Sequence, residues 1–102
     1  MIVVYMTASS KEEAEIISKV LVEERLVACA NILPAHSSLY WWDGEVESAQ
    51  EVAVIFKSRP ELFDKIESKI KELHSYDVPC IVSWSIEKGH VPFLEWIQAE
   101  TR

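Results

Sequence analysis

Two segments, Met1–Thr7 and Val52–Phe56, are continuous apolar and β-branched runs rather than alternating ones. That is the pattern of strands buried on both faces. Right-handed crossovers put the helices of a chain this size on one face of its sheet, which leaves the other face bare. A bare apolar sheet has to be covered, either by a helix folding back or by another subunit. The last candidate helix, Pro92–Glu100, is too short to cover four strands, so a partner subunit is expected. A domain of 102 residues buries a modest share of its apolar surface, and oligomerisation commonly makes up the difference.

Between these runs the remaining elements follow from local signals. Ser9 and Ser10 each stand three residues before a glutamate (Glu12, Glu13), a doubled capping-box signal. Ala14, Ile17 and Leu21, with Ile16 and Val20, then predict a helix to about Arg25. A second strand is expected over Leu26–Leu33, interrupted by Pro34 and resuming at Ser38–Trp42. Asp43-Gly44 is the strongest turn signal and makes a long β-hairpin with a return strand that ends in Val52–Phe56. Ser58, Pro60 and Glu61 open a second helix with a capping box, its buried face Leu62, Phe63, Ile66, Ile70 and Leu73. Pro79 bars further helix, and Cys80–Ile86 alternates as a strand with Cys80, Val82, Trp84 and Ile86 on one face. Pro92–Glu100 closes the chain as a helix burying Phe93, Trp96 and Ile97. The order β-α-β-β-α-β plus a C-terminal helix predicts one α+β domain over residues 1–102, ferredoxin-like, with an antiparallel sheet ordered 4-1-3-2.

Charge and composition exclude several classes of partner. A net charge of −7 and a pI near 4.9 argue against nucleic acid and anionic membranes, which select clustered Lys and Arg. Met1–Met6 has no basic region before it and no small-residue cleavage site after it, so it reads as a strand and not a signal peptide. No apolar run approaches the roughly 20 residues that span a bilayer. Two cysteines do not make a disulfide scaffold, and a reducing cytoplasm is the expected setting.

Among the groups that carry chemistry, Cys29 offers a soft thiolate suited to Cu(I), or a small packed hydrophobe between Ala28 and Ala30. Cys80 has the same two readings and lies on the opposite edge strand. His74 ends the second helix, where it either satisfies a last carbonyl or serves as a metal ligand or proton-transfer group. His36 and His90 are expected in exposed loops. No His-x₃-His or Cys-x₂-Cys pair marks a preformed zinc site. Tyr40-Trp41-Trp42 puts Tyr40 and Trp42 on one face of the hairpin and Trp41 on the other, and such aromatics anchor interfaces or wall small pockets. Glu45, Glu47 and Glu51 share strand parity, and Lys57 needs a carboxylate partner if buried. No nucleophile elbow or triad is present, so an enzyme is not expected.

The ordered set Leu26-Val-Ala28-Cys29-Ala-Asn31-Ile32, Pro34, Ser38-Leu-Tyr40-Trp41-Trp42-Asp-Gly44, Glu47, Glu51, Lys57, His74-Ser-Tyr76-Asp77-Val78-Pro79 and Leu94-Glu-Trp96-Ile97 resembles the CutA divalent-cation-tolerance family over essentially the whole chain. The resemblance implies a very stable, PII-like homotrimer with edge strands paired between subunits. It implies copper or another divalent metal ion, weakly bound and not obligatory, with Cys29 and His74 as ligands. It also implies intersubunit clefts lined by Tyr40, Trp42, Glu47, Glu51, Lys57, Tyr76 and Asp77. The chain departs from the family pattern at Ser75, where a proline is usual, and at Cys80, where an acidic residue is common. Met6 and Leu73 stand where some relatives carry Cys and His. The alternative is a PII-like signalling module in which a small anionic ligand alters contacts with a partner protein.

Overall fold

The elements run β1 (Ile2–Ala8), α1 (Lys11–Glu23), β2 (Cys29–Trp42), β3 (Glu45–Ser58), α2 (Phe63–Leu73), β4 (Ile81–Ser85) and α3 (Val91–Glu100), in a computed structural model that describes residues 1–102. One 3-10 turn, Pro60–Leu62, leads into α2. The sheet has the order β2-β3-β1-β4 with antiparallel neighbours throughout, the ferredoxin-like arrangement.

Cross-strand register explains why Ile2–Met6 of β1 and Val52–Phe56 of β3 are apolar at every position. Ile2, Val4, Met6 and Ala8 pack with Val52, Val54 and Phe56 against Ala14, Ile17 and Leu21 of α1 and Ile66 and Ile70 of α2, and all are buried. The intervening residues Val3, Tyr5 and Ile55 point to the other face and are only half-buried. Val82 and Trp84 pair with Tyr5 and Val3 and remain 48% and 50% exposed. One apolar face is thus closed by the chain's own helices, and the other is not.

Several expected elements take a different form. Residues 26–28 are not strand. Arg25 adopts a left-handed φ of 63°, which turns the chain out of α1 so that the Leu26 amide donates to the Leu21 carbonyl at 3.0 Å. Leu26 and Val27 then enter the core as a plug. In α1, Ile16 lies outside the buried stripe, 61% exposed. Pro34 does not interrupt β2; the strand shifts register between Ile32 and Ala35 and continues, as an edge strand can where a proline removes a donor. His36 is therefore a half-buried strand residue rather than a loop residue, whereas His90 is exposed ahead of α3. The second capping box does not form, because the Ser58 hydroxyl donates to the Leu26 carbonyl instead. In α3 only Ile97 is fully buried, while Phe93 and Trp96 stack on each other at the surface.

The hairpin extends well past the sheet. β1 pairs with β3 only from Val52 to Ser58, so Glu45–Glu51 pairs with β2 alone. Asp43 and Gly44 both have positive φ, 51° and 80°, the signature of a type I′ turn. This overhang stretches the molecule to 45 × 26 × 23 Å. It carries Leu39, Trp41, Trp42 and Val46 well exposed.

Candidate functional site

The densest polar arrangement lies where the paired part of the sheet ends and the overhang begins. It starts with α1. Ser10 is its N-cap and accepts the Glu13 amide at 3.1 Å. Glu13 reaches back to Ser9, accepting its amide at 2.8 Å and its hydroxyl at 2.9 Å. The doubled capping signal thus resolves into one box in which Ser9 takes the second role. The other Glu13 oxygen accepts the Ser75 amide at 2.8 Å, tying α1 to the segment after α2.

His74 ends α2 and is buried. Its Nε2–H donates to the Thr7 carbonyl at 2.8 Å, and its Nδ1 accepts the Tyr76 amide at 3.0 Å. Both ring nitrogens are thereby used within the chain, which fixes the neutral Nε2–H tautomer. The Tyr76 ring lies 4.7 Å from the His74 ring, and its hydroxyl donates to Glu51 Oε2 at 2.9 Å. Glu51 is 9% exposed and takes part in none of the chain's ion pairs.

Three acidities record this environment. Burial alone would raise the Glu13 carboxyl, but hydrogen bonds from Ser9 and Ser75 hold it at about 2. Desolvation pushes the Tyr76 phenol up to about 12, helped by the hydrogen bond to Glu51 and the charge there, and further by Glu13 and Tyr40. Desolvation also raises the Cys80 thiol, with Glu51 adding to it. Tyr40, Glu51, Tyr76 and Cys80 are therefore electrostatic neighbours.

The other candidates lie elsewhere. Cys29 is half-buried at the start of β2, opposite Lys57. Lys57 donates to the Asn31 side-chain carbonyl rather than to a carboxylate. Trp42 and Glu47 stand out on the overhang, and Asp77 is exposed. Cys29 and His74 sit at opposite ends of the sheet, at the levels of Val3 and Thr7. Nowhere in the chain do three His, Cys, Asp or Glu side chains converge on a point that would hold a metal ion. Within a single chain Cys29 and His74 are not brought together. Glu13, Ser9 and Thr7 were not among the expected site residues. The capping box marked Glu13, but nothing local announces that its second oxygen serves a residue 62 positions away.

A further concavity, about 420 Å³, opens between the start of α1 and the shifted segment of β2. Ser9, Ser10, Lys11, Pro34, Gln50 and Glu51 contribute to its wall.

A ferredoxin-like sheet with an overhanging hairpin and a polar cluster at its root defines a small α+β protein of the ferredoxin-like class. The CutA1 divalent ion tolerance model matches residues 2–100. The chain is 48% identical over 94 residues to the divalent-cation tolerance protein CutA of Archaeoglobus fulgidus, covering 92% of this chain and 91% of that one. It superposes on the CutA1 structure of Thermus thermophilus with a TM-score of 0.97 at 43% identity, covering 100% of both chains. It is also similar to human CutA, 30% identical over 97 residues, spanning 95% of this chain and 54% of that longer one. The chain belongs to the CutA1 divalent ion tolerance family.

Proposed function

We propose that the chain works as a homotrimer and holds copper or another divalent ion weakly in the clefts between subunits. Assembly is supported by the uncovered face carrying Tyr5, Val82 and Trp84 and by the exposed aromatics of the overhang. The β2 and β4 edges are free to pair with other copies. The single observation that carries the cation reading is Glu51, a carboxylate nine-tenths buried with one neutral hydrogen-bond donor and no ion-pair partner. Such a charge is costly unless a cation approaches it. In this reading Cys29 supplies a soft thiolate and His74 an imidazole from a neighbouring subunit. The latter has to give up the hydrogen bond its Nδ1 accepts from Tyr76. Tyr40, Trp42, Glu47, Glu51, Tyr76 and Asp77 line the cleft, with Lys57 at its far end. The cytoplasm suits two free cysteines, although the Archaeoglobus relative is described as periplasmic and the rice relative as chloroplastic.

Light scattering coupled to gel filtration reads the assembly directly, and a monomer mass at working concentration would refute it. Calorimetric titration with Cu(II), and with Cu(I) under reduction, tests the metal reading. Saturable binding should weaken in a Cys29→Ser, His74→Ala double variant, and equal heats in both proteins would exclude those ligands. The concavity at the start of α1 favours a second reading, a signalling module responding to a small anion, because Lys11 and the residues at the positive end of that helix line it. A thermal-shift screen of nucleotides and carboxylates separates the two readings.

A further inference from the structure

The paired part of the sheet is almost free of charge. Strands β1 and β4, with residues 29–35 of β2 and 52–58 of β3, contain Lys57 and no other Asp, Glu, Lys or Arg. Lys57 shares parity with Ala53 and Ile55, opposite to Val52, Val54 and Phe56 that pack on the helices. It therefore stands on the face the helices leave open. Its cross-strand neighbours there are uncharged: Cys29 and Val3 pair with it directly, and Trp84 pairs with Val3. It is half-buried, its ammonium donates to the Asn31 side-chain carbonyl, and it enters none of the chain's ion pairs.

Glu51 is its counterpart at the other end of that face. It has the same parity on β3, is 9% exposed, and is bonded only by the neutral Tyr76 hydroxyl. The two residues stand six apart on one extended strand, about 20 Å at 3.3 Å per residue, so they cannot meet within a chain. A cation and a carboxylate thus border one apolar surface, and covering either with apolar groups alone is costly. The cover that suits both is a second copy of the same face, placed so that each end meets the opposite charge.

We propose that Lys57 of one copy pairs with the partner subunit's Glu51, an intersubunit ion pair that sets how the open faces dock. The pair rests on the assembly of the chain into an oligomer and names the residues that meet there. Every copy carries both charges, so a closed assembly joining these two ends leaves neither over. Cys29 lies opposite Lys57, and His74 is joined through Tyr76 to Glu51. The same contact therefore brings the thiol end of one copy to the imidazole end of the next. A divalent ion entering that junction has to compete with an ammonium for Glu51.

A double-mutant cycle on assembly tests the pair. Lys57→Met keeps the aliphatic stem, Glu51→Gln keeps an acceptor for Tyr76, and each leaves the opposite charge covered and alone. Light scattering on serial dilution, in fixed sub-denaturing urea with a chelator present, reads the protomer concentration at half-assembly. Each single variant should raise it roughly tenfold or more, and the double variant should return to within about threefold of the parent protein. Single variants that leave assembly unchanged, or effects that add in the double variant, would overturn the pair. So would a chelator that loosens the parent as much as Lys57→Met does, since a metal ion would then be the cation at Glu51. Should a single variant fail to assemble at any concentration, its rescue in the double variant supports the pair and a failed rescue overturns it. An oligomeric parent without coupling overturns the pair alone, whereas a monomeric parent overturns the pair and the assembly together.

Discussion

Glu13 offers the sharpest test of the polar network, because its charge can be removed while the side chain keeps its size. Glu13→Gln removes the negative charge and leaves one acceptor oxygen, enough for the Ser9 side or the Ser75 amide but not for both. The folded protein holds this carboxyl at about 2 against an ordinary 4.5. At 1.36 kcal/mol per pKa unit that corresponds to about 3 kcal/mol in the fully coupled limit. The side chain is still 13% exposed at the rim of the sheet, so screening reduces the expected contribution to about 1–2 kcal/mol. The sign follows from the depression. The contribution is complete above the unfolded value, about pH 4.5, and is lost as pH falls toward about 2. Urea unfolding of both proteins at one protomer concentration, at neutral pH and in steps below pH 4.5, measures the gap. A gap of about 1–2 kcal/mol at neutral pH that closes in acid is expected. A gap that persists unchanged in acid would show that the lost acceptor oxygen, and not the charge, sets it, and no gap at neutral pH would remove the charge from the account.

Three further substitutions probe other links. Ser10→Ala deletes the α1 N-cap bond to the Glu13 amide and should cost about 1 kcal/mol in urea unfolding. Phe56→Ala empties the largest fully buried side chain and should cost about 3–5 kcal/mol, with a lower thermal midpoint. Gly44→Ala meets no atom within 4 Å but keeps a φ of +80°, so its cost of about 1–2 kcal/mol is conformational and should appear first as faster exchange at the hairpin tip.

How far the fold was legible depended on how local each signal is. β1, the Asp43-Gly44 turn, the start of α1 and the element order all follow from residues adjacent in sequence, and the structure places them as expected. The failures involve competition between distant groups. Ser58 looked like a helix cap, yet its hydroxyl satisfies the Leu26 carbonyl, 32 residues away. Residues 26–28 carry strand-like apolar character, but Arg25 takes a left-handed turn and sends Leu26 and Val27 into the core. Pro34 looked like a break because its missing donor would harm an inner strand, whereas β2 lies at the edge. Cys29 and His74 were matched by chemistry, and nothing in their spacing revealed that they stand at opposite ends of the sheet.

That separation has a consequence for how cation tolerance relates to assembly. The polar cluster at Glu51 lies just beyond one end of the β1–β3 pairing and the Cys29 thiol near the other, level with Lys57, with five paired β3 residues, Val52–Phe56, between these levels. No rotamer change within one chain closes that distance, since strands advance about 3.3 Å per residue. On the proposed reading, donors meet only across a subunit boundary, so the metal site comes into being with the oligomer. Metal binding and subunit association then share one free energy. Ion affinity falls on dilution below the assembly threshold, and added ion raises the apparent association constant by the same factor. The apolar face that the helices leave open is therefore a condition for the chemistry as well as for stability. A substitution such as Trp84→Ser, at a side chain with no ligand atom and on a strand that two others separate from β2, should weaken metal binding as far as it weakens assembly.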